Sequence, residues 1–310
     1  MGSFWHNITS GWNSLAVRWK ACRGCWETWI SLHFIHRFTQ LWSVTVSAAY
    51  GCGVPTYAPS ARVVNGESAK PYSWPWQVSL QVLKDGVFLH NCGGTLIADR
   101  WILTAAHCIN FSRTNRVVVG EFDLANEEGA EEIFLIPSED MFVHQSWNSV
   151  CVACGNDIAL IRLPRPVQIS DKVQLSCLPP AGELLPNNFS CYASGWGRLY
   201  TGGPIPDILQ QALLPVVDYD HCSQRDWWGA TVKRSMVCAG GDIRSVCNGD
   251  SGGPLNCQGA DGRWYVHGVA SFVSGYGCNT LKKPSVFTRV SAFNSWIQQT
   301  ISENSVSGFQ

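Results

Sequence analysis

The chain has 310 residues, 45% hydrophobic and only 15% charged, with a formal net charge of −1. So low a charge fraction argues against an intrinsically disordered chain, and 22 Lys and Arg against 23 Asp and Glu leave no broad positive field for nucleic acid. The length suits one large domain or two modest ones, and the 14 cysteines spread along it read as a disulfide framework in an oxidising compartment, so a secreted, extracellular location is expected. Zinc is the other use of such cysteines. Cys22 with Cys25 and Cys151 with Cys154 have the C-x-x-C spacing, but neither has the matching second pair of a closed structural site.

In chain order, residues 1–49 read as an atypical leader. Arg18, Lys20, Arg23 and Glu27 come first, no charge falls between Phe38 and Ala49, and the run ends in Ser47, Ala48 and Ala49, small enough for signal peptidase before Tyr50. The apolar run is too short and too rich in Ser and Thr to span a bilayer, so no membrane span is expected. Trp5, Trp12, Trp19 and Trp26 recur every seven residues, without the second apolar seam of a coiled coil. Residues 50–62 have the Gly, Pro, Ser, Thr and Ala content of a linker and end at Arg62, before Val63-Val64-Asn65-Gly66. Residues 63–302 then form the main domain, with 303–310 as a tail.

Within that domain, short β-type runs alternate with turns: Trp76 to Val82, Trp101 to Ala105, Arg116 to Val119, Ile158 to Leu163, Cys191 to Ser194, Tyr265 to Phe272 and Val286 to Val290. Strands at this spacing predict an all-β sandwich or barrel pair. One helix is predicted over Ser291–Ile301, where Phe293, Trp296, Ile297 and Ile301 have helical spacing. There is no internal repeat or low-complexity segment.

Three motifs carry chemistry. Thr104-Ala105-Ala106-His107-Cys108 follows an apolar run, Gly155-Asn156-Asp157-Ile158-Ala159-Leu160 opens another, and Gly249-Asp250-Ser251-Gly252-Gly253-Pro254 is glycine-rich. Each is weak alone. Together, and in this order, they resemble the chymotrypsin-like serine endopeptidases, over about Tyr50 to Ile301. The resemblance implies two six-stranded antiparallel Greek-key barrels with a C-terminal helix. It also implies a triad of Ser251 as nucleophile, His107 as base and Asp157 as the group that orients the imidazole. The N–H groups of Gly249 and Ser251 would receive the oxyanion, and Ser271 would support Asp157. Arg62-Val63 resembles the activation junction, where a trypsin-like protease frees an ammonium at Val63 to pair with Asp250. Protein and peptide substrates are the implied partners, together with that activator and protein protease inhibitors, and no cofactor is required for catalysis.

The resemblance also pairs the cysteines: Cys52 with Cys177, Cys92 with Cys108, Cys151 with Cys154, Cys191 with Cys257, Cys222 with Cys238, and Cys247 with Cys278. Glu121, Asp123, Asn126, Glu128 and Glu131 fill a loop that wraps calcium in the family, with a solvated acidic loop as the alternative. Sequons at Asn110 and Asn188, and at Asn7 in the leader, are glycan acceptors in a secreted chain. The specificity pocket would be formed by Ser245, Val246, Val273 and Ser285. No acid stands at its base to meet a Lys or Arg, and Val273 and Ser285 replace glycines, which implies small aliphatic P1 residues and an elastase pattern. The alternatives are a chymotrypsin-type peptidase for larger apolar residues and a catalytically silent binding protein, although such proteins usually lose a triad residue and this chain keeps all three.

Overall fold

The computed structural model describes residues 51–60, 66–242 and 244–305. The expected leader, the Arg62–Val63 junction and the end of the tail lie outside these residues, as does the Cys22 and Cys25 pair. After the short β1 (Glu67–Ser68), the strands β2 (Gln77–Lys84), β3 (Val87–Ala98), β4 (Trp101–Thr104), β5 (Asn115–Val119), β6 (Glu132–Ile136), β7 (Met141–Val143) and β8 (Ala159–Arg162) follow. These seven from β2 onward form one antiparallel sheet in the order β6-β5-β2-β3-β4-β8-β7. Six more strands, β9 (Ser190–Gly195), β10 (Gln210–Val217), β11 (Met236–Ala239), β12 (Pro254–Gln258), β13 (Trp264–Phe272) and β14 (Ser285–Arg289), build the second sheet. Because β9 pairs with both β12 and β10, these six close on themselves, and β1 adds to the β10 edge. The architecture is the expected antiparallel barrel pair, with the short β7 as a seventh strand on the first sheet.

Val78, Leu80 and Val82 alternate with Gln77, Ser79 and Gln81 in β2, yet all six are buried. The polar face therefore needs partners inside the protein, and Gln77 finds one across the seam between the sheets, where Ser194 Oγ donates to its Oε1 at 2.7 Å. The same seam holds Trp74 and Trp76. Their indole N–H groups donate to Gln211 Oε1 and Asn256 Oδ1, both at 2.8 Å, so each ring buries its apolar area without leaving an orphan donor. One continuous core carries Trp74, Val78, Leu103 and Leu160 of the first half together with Trp196 and Val266 of the second.

Two helices are described: α1 (Tyr219–Cys222) and α2 (Asn294–Ser305). The predicted C-terminal helix opens as a 3-10 turn over Val290–Ala292 and then continues past residue 302 to Ser305, further than its apolar spacing indicated. Ile297 is fully buried, and Arg162 Nη1 donates to the Asn304 carbonyl at 2.6 Å, anchoring the last turn to β8. Six disulfides join Cys52–Cys177, Cys92–Cys108, Cys151–Cys154, Cys191–Cys257, Cys222–Cys238 and Cys247–Cys278. The first ties the segment before the Arg62 junction to the main body. Gly53 reinforces it, donating to Leu175 O at 2.7 Å and accepting from Trp264 N at 2.8 Å.

Candidate active site

His107 sits in a 3-10 turn, Ala106–Cys108, that follows β4. Asp157 lies just before β8, the strand that pairs with β4. Neighbouring strands therefore deliver the two side chains to one place although 50 residues separate them in the chain. Asp157 is 1% exposed, and its carboxylate is fully engaged. Oδ1 accepts the His107 backbone N–H at 2.9 Å, and Oδ2 accepts both His107 Nδ1 at 2.7 Å and Ser271 Oγ at 2.5 Å. Thr288 Oγ1 donates to the Asp157 carbonyl at 2.7 Å, so the second barrel grips the same residue through β13 and β14. With Oδ2 as the acceptor, Nδ1 is the ring nitrogen that donates, which leaves Nε2 as the nitrogen that faces away from Asp157.

Ser251 lies in the turn before β12, where Gly93 N donates to its carbonyl at 2.7 Å and Gly252 N donates to Ala270 O at 2.8 Å. Gly249 has φ of +106°, and a Cβ there would come within 3.0 Å of Gly197 Cα. Only glycine meets both demands. Asp250 turns away from Ser251, its Oδ1 accepting from Gly197 N and its Oδ2 from Cys247 N, both at 2.8 Å. Burial pushes its carboxyl up to about 6, against the lowering effect of those two N–H groups. A side chain at Gly197 would collide with this carboxylate. Gly66, Gly195, Arg244 and Ser245 join Asp250 around a cavity of about 410 Å³.

A second cavity, of about 380 Å³, is lined by Ser251, Val246, Val273, Asn248, Thr201 and Phe272 among others. Two of the four predicted pocket residues, Val246 and Val273, are thus on its wall. The other two are placed differently. Ser285 is fully buried, and its Oγ accepts Val246 N at 3.0 Å, so it braces the wall from behind. Ser245 lines the neighbouring Asp250 cavity. Thr201 and Phe272 were not found by sequence reasoning. Thr201 is far from every motif, and its role at the wall follows from accepting Cys278 N at 2.9 Å.

Among the proposed calcium ligands, Glu121, Glu128 and Glu131 bring carboxylate oxygens within 4.8 Å of one another. Burial, then the charges of Glu131 and Glu128, push the Glu121 carboxyl up to about 7. Asp123 and Asn126 are not part of that trio. Asp123 accepts from Ala125 N at 3.0 Å and from Asn126 Nδ2 at 2.8 Å, so their side chains close a local turn. Asn110 and Asn188 are both exposed.

Residues 63–297 match the family model described as Trypsin. The chain is 68% identical over 250 residues to proproteinase E of Bos taurus, covering 81% of this chain and 99% of the relative. It is 65% identical over 259 residues to chymotrypsin-like elastase family member 3B of Homo sapiens, covering 84% and 96%, and 57% identical over 256 residues to chymotrypsin-C of Bos taurus, covering 82% and 94%. With the barrel pair and this arrangement of residues, these matches make the chain a member of the trypsin family, a serine endopeptidase of the chymotrypsin-like elastase kind.

Proposed function

We propose that this endopeptidase is secreted as a zymogen, is activated by a trypsin-like protease that cuts after Arg62, and then cleaves peptide bonds after small aliphatic residues, Ala above all, as in digestive proteolysis. The observation that carries this reading is the Asp157 carboxylate, shared between His107 and Ser271, beside a cavity whose wall combines Ser251 with Val246 and Val273. His107 Nε2 takes the Ser251 proton as Oγ attacks the scissile carbonyl, and returns it to the leaving amine. The N–H groups of Gly249 and Ser251 receive the oxyanion, where one such donor is worth roughly 3 kcal/mol of barrier. Water then attacks the acyl ester by the same route in reverse. Family chemistry of this type needs no cofactor.

The P1 preference rests on Val273 and Val246. A profile over a P1 peptide library, made with the trypsin-treated chain, should favour Ala and Val over Phe and Tyr. It should separate Leu from Ala only weakly, because one methylene in an apolar pocket gives ~1 to 3 kcal/mol of discrimination. Val273→Gly should raise kcat/KM for Phe relative to Ala. Ser285→Gly should not deepen the pocket, since Ser285 braces Val246 N–H from behind. A wild-type profile already favouring Phe or Tyr would instead support the chymotrypsin-type alternative.

Calcium fits the three glutamates, whose hard, crowded oxygens favour a divalent cation in place of mutual repulsion. Binding to the native state alone would stabilise it by mass action. Millimolar calcium should therefore raise the melting temperature of the wild type, and Glu121→Gln should weaken that response. A melting temperature indifferent to calcium and to chelator would remove the site.

A further inference from the structure

The buried polar face of β2 has a second half. Ser79 is fully buried and Gln81 is 5% exposed, and neither belongs to any motif or to the triad. Their hydrogen bonds form a line whose direction is fixed at both ends. Arg116 can only donate, and its Nε gives to Gln81 Oε1 at 2.7 Å. That contact sets the amide so that Gln81 Nε2 donates to Ser79 Oγ at 3.1 Å. Ser79 in turn bonds His90 Nδ1 at 2.8 Å, and His90 Nε2 bonds the Gly249 carbonyl at 3.0 Å. A carbonyl only accepts, so Nε2 carries the proton, Nδ1 accepts, and the Ser79 hydroxyl is the donor to it. Burial pushes His90 down to about 4, so the ring is neutral at pH 7 and has one proton to place.

We propose that Gln81 and Arg116 are positioning residues for the oxyanion-binding loop, acting through a one-directional hydrogen-bond relay in which Ser79 and His90 hold the Gly249 carbonyl. The inference rests on the reading of Gly249 as an oxyanion donor. Gly249 has a left-handed φ and no side chain, so neighbours must set its peptide planes. Successive bonds that all point one way polarise one another. His90 is braced further by its ring contact with Trp196, with centroids 5.5 Å apart. At the other end the Arg116 guanidinium lies 4.3 Å over the Phe88 ring. Arg116, Gln81 and His90 also line a cavity of about 780 Å³ with Glu121, so the relay runs from a surface cavity of the first sheet to the catalytic loop.

Gln81→Glu tests the direction. It keeps an acceptor for Arg116 but turns an acceptor toward Ser79, at nearly constant shape. After trypsin treatment this variant should lose kcat by roughly three- to tenfold, the range set by one hydrogen bond, at unchanged KM. Its affinity for a peptide boronic acid, which mimics the tetrahedral oxyanion, should fall by the same factor, with affinity for the product peptide unchanged. Ser79→Ala, which breaks the line one link nearer His90, should do likewise, whereas Arg116→Lys keeps a cationic donor and should retain most of kcat. In the wild type, imidazole 15N shifts should report His90 as the Nε2–H tautomer. The relay alone is overturned by an Nδ1–H tautomer, by Gln81→Glu and Ser79→Ala variants that keep wild-type kcat and boronate affinity, or by equal losses of boronate and product affinity. A wild type that binds the boronic acid no more tightly than the product overturns both the relay and the oxyanion reading beneath it.

Discussion

Replacing Ser251 or His107 with alanine should leave a folded chain whose amide hydrolysis is lower by several orders of magnitude. A hydroxyl is a weak nucleophile near neutral pH, and the base that activates it is useful only in one tautomer and one orientation. Here Asp157 imposes both through two bonds to the same histidine, one to the ring and one to its backbone. Because nucleophile and base act as one unit, each single change should cost nearly as much as the pair, and the double variant should add little. Neither alanine is expected to unfold the chain, since Ser271 and Thr288 still hold Asp157 from the second barrel. Burst kinetics on an ester substrate with matched melting curves would check this. Turnover by either variant comparable to wild type would refute the triad.

The second large effect concerns Arg62. Treated with trypsin, an Arg62→Gln variant should stay near-inactive while the wild type gains activity and yields a new N-terminus reading Val-Val-Asn-Gly. The physical reason is Asp250. Enclosure disfavours its charge, two backbone N–H groups are its donors among the described residues, and its carboxyl is pushed up to about 6. A raised carboxyl pKa means that ionisation weakens the fold as pH rises from about 4 through about 6. An ammonium at Val63 would remove that loss by pairing with the carboxylate and so fix the Gly249 turn. It follows that the cleaved enzyme should lose activity at alkaline pH, as an amine with an ordinary pKa near ~8, raised by pairing, gives up its proton. The freed segment should stay attached through Cys52–Cys177, which peptide mapping without reduction would detect. Full activation of Arg62→Gln, or an alkaline limb identical before and after cleavage, would contradict the mechanism.

Much of this molecule was legible in the sequence where side-chain type alone decides the outcome. The strands β2, β4, β5, β8, β9, β13 and β14 fall where apolar runs lie between turn residues. The strands that were not foreseen have physical reasons to hide. β3 includes His90, Asn91, Gly93 and Gly94, and its glycines serve close approach, for a Cβ at Gly93 would meet Gly253 Cα at 2.8 Å. β10 carries Pro215 yet pairs with β9 through it, in a position that propensity alone disfavours. At the site, the motifs mark His107, Asp157 and Ser251, and the structure bonds the first two to each other, but no local pattern gives their surroundings. The family resemblance puts Ser285 among the pocket residues, and the structure spends its hydroxyl on Val246 N–H, behind the pocket wall. Asp123 and Asn126 have the chemistry of calcium ligands but satisfy each other. The line from Arg116 to Gly249 joins residues of β5, β2 and β3 to a loop 159 residues beyond His90, and no local pattern encodes such a path.

Covalent labelling of the purified chain with a fluorophosphonate, before and after trypsin treatment, followed by peptide mass spectrometry, tests the nucleophile and its activation most directly. A single adduct on Ser251 that forms rapidly only after cleavage at Arg62 is the expected result. An adduct on another residue, or no adduct on a chain shown to be cleaved and folded, would contradict it.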